Sequence, residues 1–301
     1  MPRLLNGRIV VVGGFGYIGQ HLVQDLCGRD WPLVVVAQRE RSIPGCGPHF
    51  HEADVRDLNA LAKVVDSGDT VVNLACKAVG PSFLDPHADF EVNALGGVNV
   101  LEVCRRKAAR RVICVSSCEV YGQPQMSPID EHHPIRPQSP YGTSKAVVEN
   151  YAGLYRERYD VDSMVLRLFN VYGFSANGDP RFTVETVFAQ QAAAKQSVSF
   201  TSHPLSVRDY VFVADVVSAI RAAIQVESHR GAYNIGSGEG VALRDIALSA
   251  GCSPSDSEEH YGSEPPIPLL ADIGRARTDL SLKVTKSVHD HVKELRRKVY
   301  R

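Results

Sequence analysis

An apolar, β-branched run, Arg8–Val12, ends in Gly13-Gly14-Phe15-Gly16-Tyr17-Ile18-Gly19, and a helical pattern follows over Gln20–Leu26. This junction constrains the fold more than any other feature of the chain. Gly13, Gly16 and Gly19 are spaced GxxGxxG. Glycine is needed there for a tight turn, for close approach of a pyrophosphate to the backbone, and for packing of the helix on the strand. The helix N-terminus then offers N–H groups and the positive end of its dipole to phosphate. A purely structural glycine turn is the alternative, but the strand before and the helix after favour a dinucleotide site. Its expected contacts are Gly13, Gly16, Tyr17, Ile18 and Gly19.

Further apolar runs recur at Leu33–Ala37, Thr70–Ala75, Arg111–Val115 and Val161–Phe169, with helical stretches between them. Strands this continuously apolar are buried on both faces, as in a parallel sheet covered by helices. The expected fold class is therefore α/β, a doubly wound parallel sheet of the Rossmann type. Residues 1–170 are expected to form an NAD-binding domain, to which later strands return. Residues 171–301 are expected to form mainly a smaller C-terminal substrate-binding lobe. There, Thr183–Lys195 and Val211–Gln225 read as helices, and Ser197–Pro204 as polar with a short strand-like core. Gly251–Pro268 reads as an exposed loop over a site.

Composition narrows the function. With 44% hydrophobic and 22% charged residues the chain is an ordinary globular one. A net charge of −1 gives no basic field for nucleic acid. No apolar run reaches the ~18 residues of a membrane span, and no cleavable apolar stretch precedes the first strand. The seven cysteines include no CxxC pair, so neither a metal knuckle nor a disulfide framework is expected. Reduced thiols in a cytoplasm are the expectation. Adjacent His132-His133 lie on a loop and form no metal-ligand pair at helical spacing. The basic tail Lys293–Arg301 reads as a solvated helix end.

The second strand runs out into Ala37-Gln38-Arg39-Glu40-Arg41. An acid often stands there on the ribose 2′-hydroxyl; here it is missing and arginines sit nearby, which leaves NAD or NADP open. Asp54, followed by Val55, comes after a third short strand and is placed to reach the adenine amine, unless it only caps a helix. Further on, Pro140-Tyr141-Gly142-Thr143-Ser144-Lys145 contains YxxxK. On a helix, i and i+4 share a face. The Lys145 ammonium there is expected to stabilise phenolate and make Tyr141 a base near neutral pH. Ser117 lies at the C-terminal end of the fifth strand, the ligand-binding edge of such a sheet, and would bond the same substrate oxygen.

Taken together, these segments resemble the extended short-chain dehydrogenase/reductases, specifically the NAD-dependent epimerase/dehydratase family acting on nucleotide sugars. GGFGYIG resembles the family's cofactor turn. VVNLACKAV resembles its fourth-strand segment, which places Leu74, Ala75 and Lys77 at the cofactor, although Asn73 stands where histidine is usual. FEVNALGGVNVLE resembles the next helix, with Asn93 near the cofactor. SSCEVYG and PYGTSK resemble the catalytic segments. LRLFNVYG puts Asn170 near the substrate, SVRDYVFVADV puts Arg208 on its diphosphate, and AYNIGSGEG resembles the late strand and turn. The missing acid after the second strand and the short C-terminus depart from the pattern. The resemblance implies hydride transfer from sugar carbon 4 to the nicotinamide, with Tyr141 taking the hydroxyl proton, Lys145 tuning it and holding the ribose, and Ser117 orienting the oxygen.

Cys118-Glu119 bears on the fate of the ketone once it has formed. The family's 4,6-dehydratases resemble one another in an acid pair at these places. Glu119 matches the glutamate that takes the carbon-5 proton, and Cys118 replaces the aspartate that protonates the leaving 6-hydroxyl. A protonated thiol can donate, though weakly. Cys118 is otherwise a small buried residue, and Glu119 a structural or positioning acid. A Cys-Glu pair is similar to that of a UDP-N-acetylglucosamine 5,6-dehydratase, in which the hydride returns to carbon 4. A UDP-sugar 4-epimerase and a 4,6-dehydratase are the alternatives. By resemblance the protein is also expected to be a homodimer through helices around Asn93–Ala108 and Tyr141–Tyr159, with Tyr151, Leu154 and Tyr155 on their outer faces.

Overall fold

Successive residues of the first strand feed two different cores, which is why the strand is apolar throughout. Ile9 and Val11 are buried with one cluster, Val10 and Val12 with the other. The computed structural model describes residues 7–29, 31–178, 183–194, 200, 202–227, 231–252 and 265–299.

The first part of the chain runs β1 (Ile9–Val12), α1 (Tyr17–Cys27), β2 (Leu33–Ala37), β3 (His49–Glu52), α2 (Leu58–Ala62), β4 (Thr70–Asn73), α3 (Val79–Leu84) and α4 (Pro86–Asp89). A π-helical turn (Phe90–Leu95) leads into α5 (Gly96–Lys107), then β5 (Arg111–Ser117), a 3₁₀ turn (Cys118–Val120), α6 (Pro140–Tyr159) and β6 (Ser163–Leu168). The remainder is β7 (Asn170–Tyr172), α7 (Val184–Ala193), β8 (Val207–Phe212), α8 (Val213–Gln225), β9 (Gly231–Ile235), β10 (Gly240–Ala242), α9 (Leu243–Ala250), α10 (Gly274–Leu280) and α11 (Val288–Val299).

Seven strands form one parallel sheet in the order β3-β2-β1-β4-β5-β6-β9. The direction of winding reverses between β1 and β4, and a crevice opens at their carboxyl ends. On one face, α1 (Leu22, Val23, Leu26) and α8 (Val216, Ile220, Ala223) pack against Ile9, Val11, Val35, Val72 and Ile113. On the other, α2, α5 and α6 bring Leu61, Leu101, Val103, Val148 and Ala152 onto Val10, Val34, Val71 and Val112. Burial of each such side chain contributes about 1.5–3 kcal/mol. A second sheet, β10-β8-β7, belongs to a third cluster in which Phe188, Tyr210, Ile246 and Val292 are buried.

Several sequence expectations are corrected here. Val211 and Phe212 belong to β8 and not to the helix that comes after it, because their backbone pairs with Val171 and Tyr172 of β7. Ser197–Pro204 and Gly251–Pro268 lie largely outside the described residues, as does Lys195. The basic end of α11 is not wholly solvated: the Lys298 ammonium lies 3.9 Å from the Phe174 ring centroid and donates to the Gly178 carbonyl at 3.2 Å. Cys27 and Cys46 are joined by a disulfide, contrary to the expectation of reduced thiols throughout. Their spacing carries no motif. A bridge between Ile43 and Cys46 folds the loop after β2 back on itself, and the two Cα atoms lie 5.8 Å apart at the end of α1, within disulfide range. Cys76, Cys104, Cys114, Cys118 and Cys252 are free thiols. Among the described residues no helix is long and apolar enough to cross a membrane.

Candidate active site

The glycine turn is closed by sterics. Gly13 has φ +79°, and a Cβ there would come within 2.6 Å of the Ala75 nitrogen on the loop after β4. A Cβ on Gly19 would lie 2.5 Å from the Gly13 carbonyl oxygen. With both absent, α1 starts hard against β1, at Gly16, with no side-chain cap on its N-terminus. Gly16, Tyr17, Ile18 and Gly19 thus line a cleft of about 850 Å³ that runs from Gln38 and Arg39 past Val55, Leu74, Ala75 and Lys77 to Ser117, Tyr141 and Lys145. An uncapped helix start at a sheet switch point, in a cleft of this length, fits a dinucleotide pyrophosphate.

Asp54 and Asn93 are placed differently from expectation: neither lines the cleft. Asp54 accepts from the Gln38 amide at 2.6 Å and from Arg56, whose guanidinium holds its carboxyl at about 2, well below the usual carboxylate range. Asp57, not Asp54, caps α2. Asn93, buried in the π-helical turn, accepts from the Lys77 N–H (2.9 Å) and donates to the Lys77 carbonyl (3.1 Å). It therefore fixes the loop that lines the cleft.

At the other end, β5 and α6 converge. Ser139 caps α6: its hydroxyl accepts from the Gly142 N–H at 3.0 Å and donates to Glu119 Oε2 at 3.4 Å. A Cβ on Gly142 would sit 2.5 Å from the Glu119 carbonyl oxygen, so only glycine lets the 3₁₀ turn abut the first turn of α6. This brings Ser117, Cys118 and Glu119 beside Tyr141. The Ser117 hydroxyl caps the 3₁₀ turn, accepting from the Glu119 N–H at 3.2 Å.

Charge in this corner runs against one expectation. Burial raises the Tyr141 phenol well above its ordinary value, the neighbouring Cys76, Cys118 and Glu119 add to that, and hydrogen bonding with Ser117 holds it down. The sequence predicts that Lys145 lowers it. The Lys145 ammonium, 5.5 Å from the Tyr141 ring centroid, is instead aimed at the Val115 carbonyl, to which it donates at 2.9 Å. Burial also pushes the Cys118 thiol up to about 12, with Glu119 adding to the effect and Arg208 opposing it, so the thiol is neutral at neutral pH.

The substrate side is set by β7 and β8. Asn170 donates to the Asp209 carbonyl at 2.8 Å, beside Arg208. Asp209 is fully buried and accepts from the Ser237 and Gly238 N–H groups at 2.6 and 2.9 Å, which shapes the turn after β9. Burial is the leading influence on this carboxyl and raises it.

Sequence reasoning missed two features. Cys76 lines the cleft next to Tyr141. Glu149, one helical turn past Lys145, accepts from Ser116 Oγ and from Arg167 Nε and Nη2 (3.0 and 2.7 Å) in a buried ion pair. Arg167 continues to the Tyr121 hydroxyl (2.8 Å), which donates to Asn234 Oδ1 (2.6 Å). An arginine inside the apolar run Ser163–Leu168 was the available signal. Of the three residues expected on an outer face, Tyr151 and Leu154 are exposed, whereas Tyr155 is buried and donates to Glu102 at 3.0 Å.

The chain matches the NAD dependent epimerase/dehydratase family over residues 9–236. It is 31% identical over 244 residues to a putative UDP-glucose 4-epimerase of Methanocaldococcus jannaschii, covering 79% of each chain. Its structure is similar to that of the Thermus thermophilus UDP-glucose 4-epimerase in complex with NAD, with TM-score 0.80, 29% identity, and 97% and 98% of the two chains covered. It is also similar to the Thermotoga maritima UDP-glucose 4-epimerase solved with UDP-glucose, with TM-score 0.82, 25% identity, and 98% and 100% covered.

Proposed function

The chain belongs to the NAD-dependent epimerase/dehydratase family, and we propose that within it the protein is a nucleotide-sugar dehydratase. It oxidises carbon 4 of UDP-N-acetylglucosamine, eliminates water across carbons 5 and 6, and restores carbon 4. The carrying observation is a neutral thiol and a carboxylate, Cys118 and Glu119, on the turn that abuts Tyr141. That pair resembles the one in the UDP-N-acetylglucosamine 5,6-dehydratase of the tunicamycin pathway.

NAD, when bound along the glycine turn, supplies a two-electron acceptor that takes the hydride from carbon 4 and gives it back. Tyr141 removes the proton of the 4-hydroxyl, and Ser117 orients that oxygen. The ketone at carbon 4 acidifies the proton on carbon 5, which Glu119 accepts. The electron pair left behind forms the carbon 5–carbon 6 double bond as the 6-hydroxyl departs, and Cys118 protonates it to water. Proton transfer from Glu119 to the Cys118 thiolate restores the pair, and Tyr141 returns its proton as carbon 4 is reduced. Arg208 and Asn170 hold the diphosphate and sugar. Exposed Phe90, Leu95, Tyr151 and Leu154 support pairing of two chains.

The names of the relatives favour a second reading, a UDP-sugar 4-epimerase, in which Cys118 and Glu119 stand idle. Mass spectrometry of UDP-N-acetylglucosamine incubated with the protein separates the two. Loss of one water supports dehydration. An unchanged mass with inverted carbon 4 overturns it in favour of epimerisation, and a ketone in the product's NMR spectrum overturns it in favour of a 4,6-dehydratase.

A further inference from the structure

We infer that Arg39 and Arg41 form a phosphate subsite at the adenosine end of the cleft, so that the protein takes the 2′-phosphorylated dinucleotide, NADP, at least as well as NAD. The inference rests on the cleft being a dinucleotide site and is independent of which sugar is turned over.

A carboxylate at the end of the second strand both accepts from the ribose hydroxyls and repels a 2′-phosphate. Here β2 ends at Ala37, and the next two side chains are Gln38 and Arg39. The acid that the fold does bring near, Asp54, is already engaged. Its Oδ2 accepts from Gln38 at 2.6 Å and from Arg56 Nη2 at 2.7 Å, and its Oδ1 accepts from the Arg56 N–H at 2.9 Å and Arg56 Nε at 3.0 Å. Gln38 and Arg56, not Asp54, line the cleft wall. The negative charge is therefore turned away and compensated.

Arg39 and Arg41 line the cleft, whereas Glu40 between them does not. Both guanidinium groups are exposed, and neither makes a hydrogen bond or ion pair with another described residue. The loop carrying them is anchored. Ile43 is buried in the α1 core, and the disulfide ties Cys46 to the end of α1, the helix whose start meets the pyrophosphate. Two unpaired planar cations on an anchored loop match a phosphate dianion in charge and in donor geometry. An unphosphorylated ribose gives them no opposite charge to bind.

The test is equilibrium binding of NADP and NAD to the full chain by calorimetry, for the wild type and an Arg39→Ala/Arg41→Ala variant, at two salt concentrations. The wild type is expected to bind NADP as tightly as NAD or more tightly. In the variant the ratio of the NADP to the NAD dissociation constant is expected to rise by roughly tenfold or more. Added salt is expected to weaken NADP more than NAD. Binding of NADP roughly a hundredfold weaker than NAD in the wild type, or an unchanged ratio in the variant, overturns the subsite while leaving the dinucleotide cleft standing. Failure of both dinucleotides to bind overturns the cleft reading and the subsite with it.

Discussion

Glu149 and Arg167 form a buried ion pair, 2.7 Å at its shortest, beneath the strand end that carries Ser117. One partner lies on the helix of Tyr141 and Lys145, the other on β6, and Ser116 of β5 donates to the same carboxylate. Three elements that meet at the cleft are thereby held in one arrangement. Replacing either partner alone leaves an uncompensated buried charge, which costs about 3–5 kcal/mol. Glu149→Ala is expected to lower the urea midpoint accordingly. A midpoint within experimental error of the wild type would show the pair to be dispensable.

Tyr141→Phe removes the group that exchanges the 4-hydroxyl proton. It is expected to lower kcat by about 10²–10⁴ with little change in KM, the usual range for a lost acid–base group. A variant with wild-type kcat would take Tyr141 out of the chemistry.

Glu119→Gln separates oxidation from elimination. In deuterated water, the wild-type protein is expected to wash label into carbon 5 of unreacted sugar or to lose water; the variant is expected to do neither. An active variant that inverts carbon 4 would place the protein among the epimerases.

Gly13→Ala places a Cβ 2.6 Å from backbone at a residue with φ +79°. The left-handed conformation alone costs about 1–2 kcal/mol in a non-glycine residue, and the contact adds to that. Both stability and dinucleotide affinity are expected to fall, read by thermal melting with and without cofactor.

His291 sets a pH dependence of stability. Its ring is buried against Tyr172 and Phe174, and burial lowers its pKa to about 4, with Lys286 and Lys298 adding to the effect and Glu294 opposing it. In the unfolded chain it titrates near its ordinary value of about 6.5. Between those values the unfolded state binds more protons, so stability rises with pH across that window. It is fully present above about 6.5 and is lost as pH falls toward about 4, by about 3 kcal/mol in all. His291→Phe is expected to flatten that slope in urea titrations at successive pH values. An unaltered slope would assign it to other groups.

Much of this was legible in the sequence because it is local. The glycine spacing of residues 13–19, the i and i+4 placement of Tyr141 and Lys145, and the uninterrupted apolar strands each depend on neighbours in the chain. What was not legible depends on distant partners. Val211 reads as helix by its neighbours but is drawn into β8 by pairing with Val171. Lys145 reads as a group that favours phenolate, yet the Tyr141 environment is dominated by burial and by thiols from two other segments. The disulfide joins residues with no motif between them.

The order of strands has a mechanical consequence. The chain leaves the large sheet after β6 to build β7, α7 and β8, re-enters it at β9, departs again for β10 and α9, and comes back with α10 packed on β9 and α8. The two halves of the molecule are therefore laced together by repeated crossings, not joined by one hinge. A swing of one half away from the other would have to bend every crossing at once, so admission and escape of a sugar nucleotide are left to short displacements of the segments at the rim.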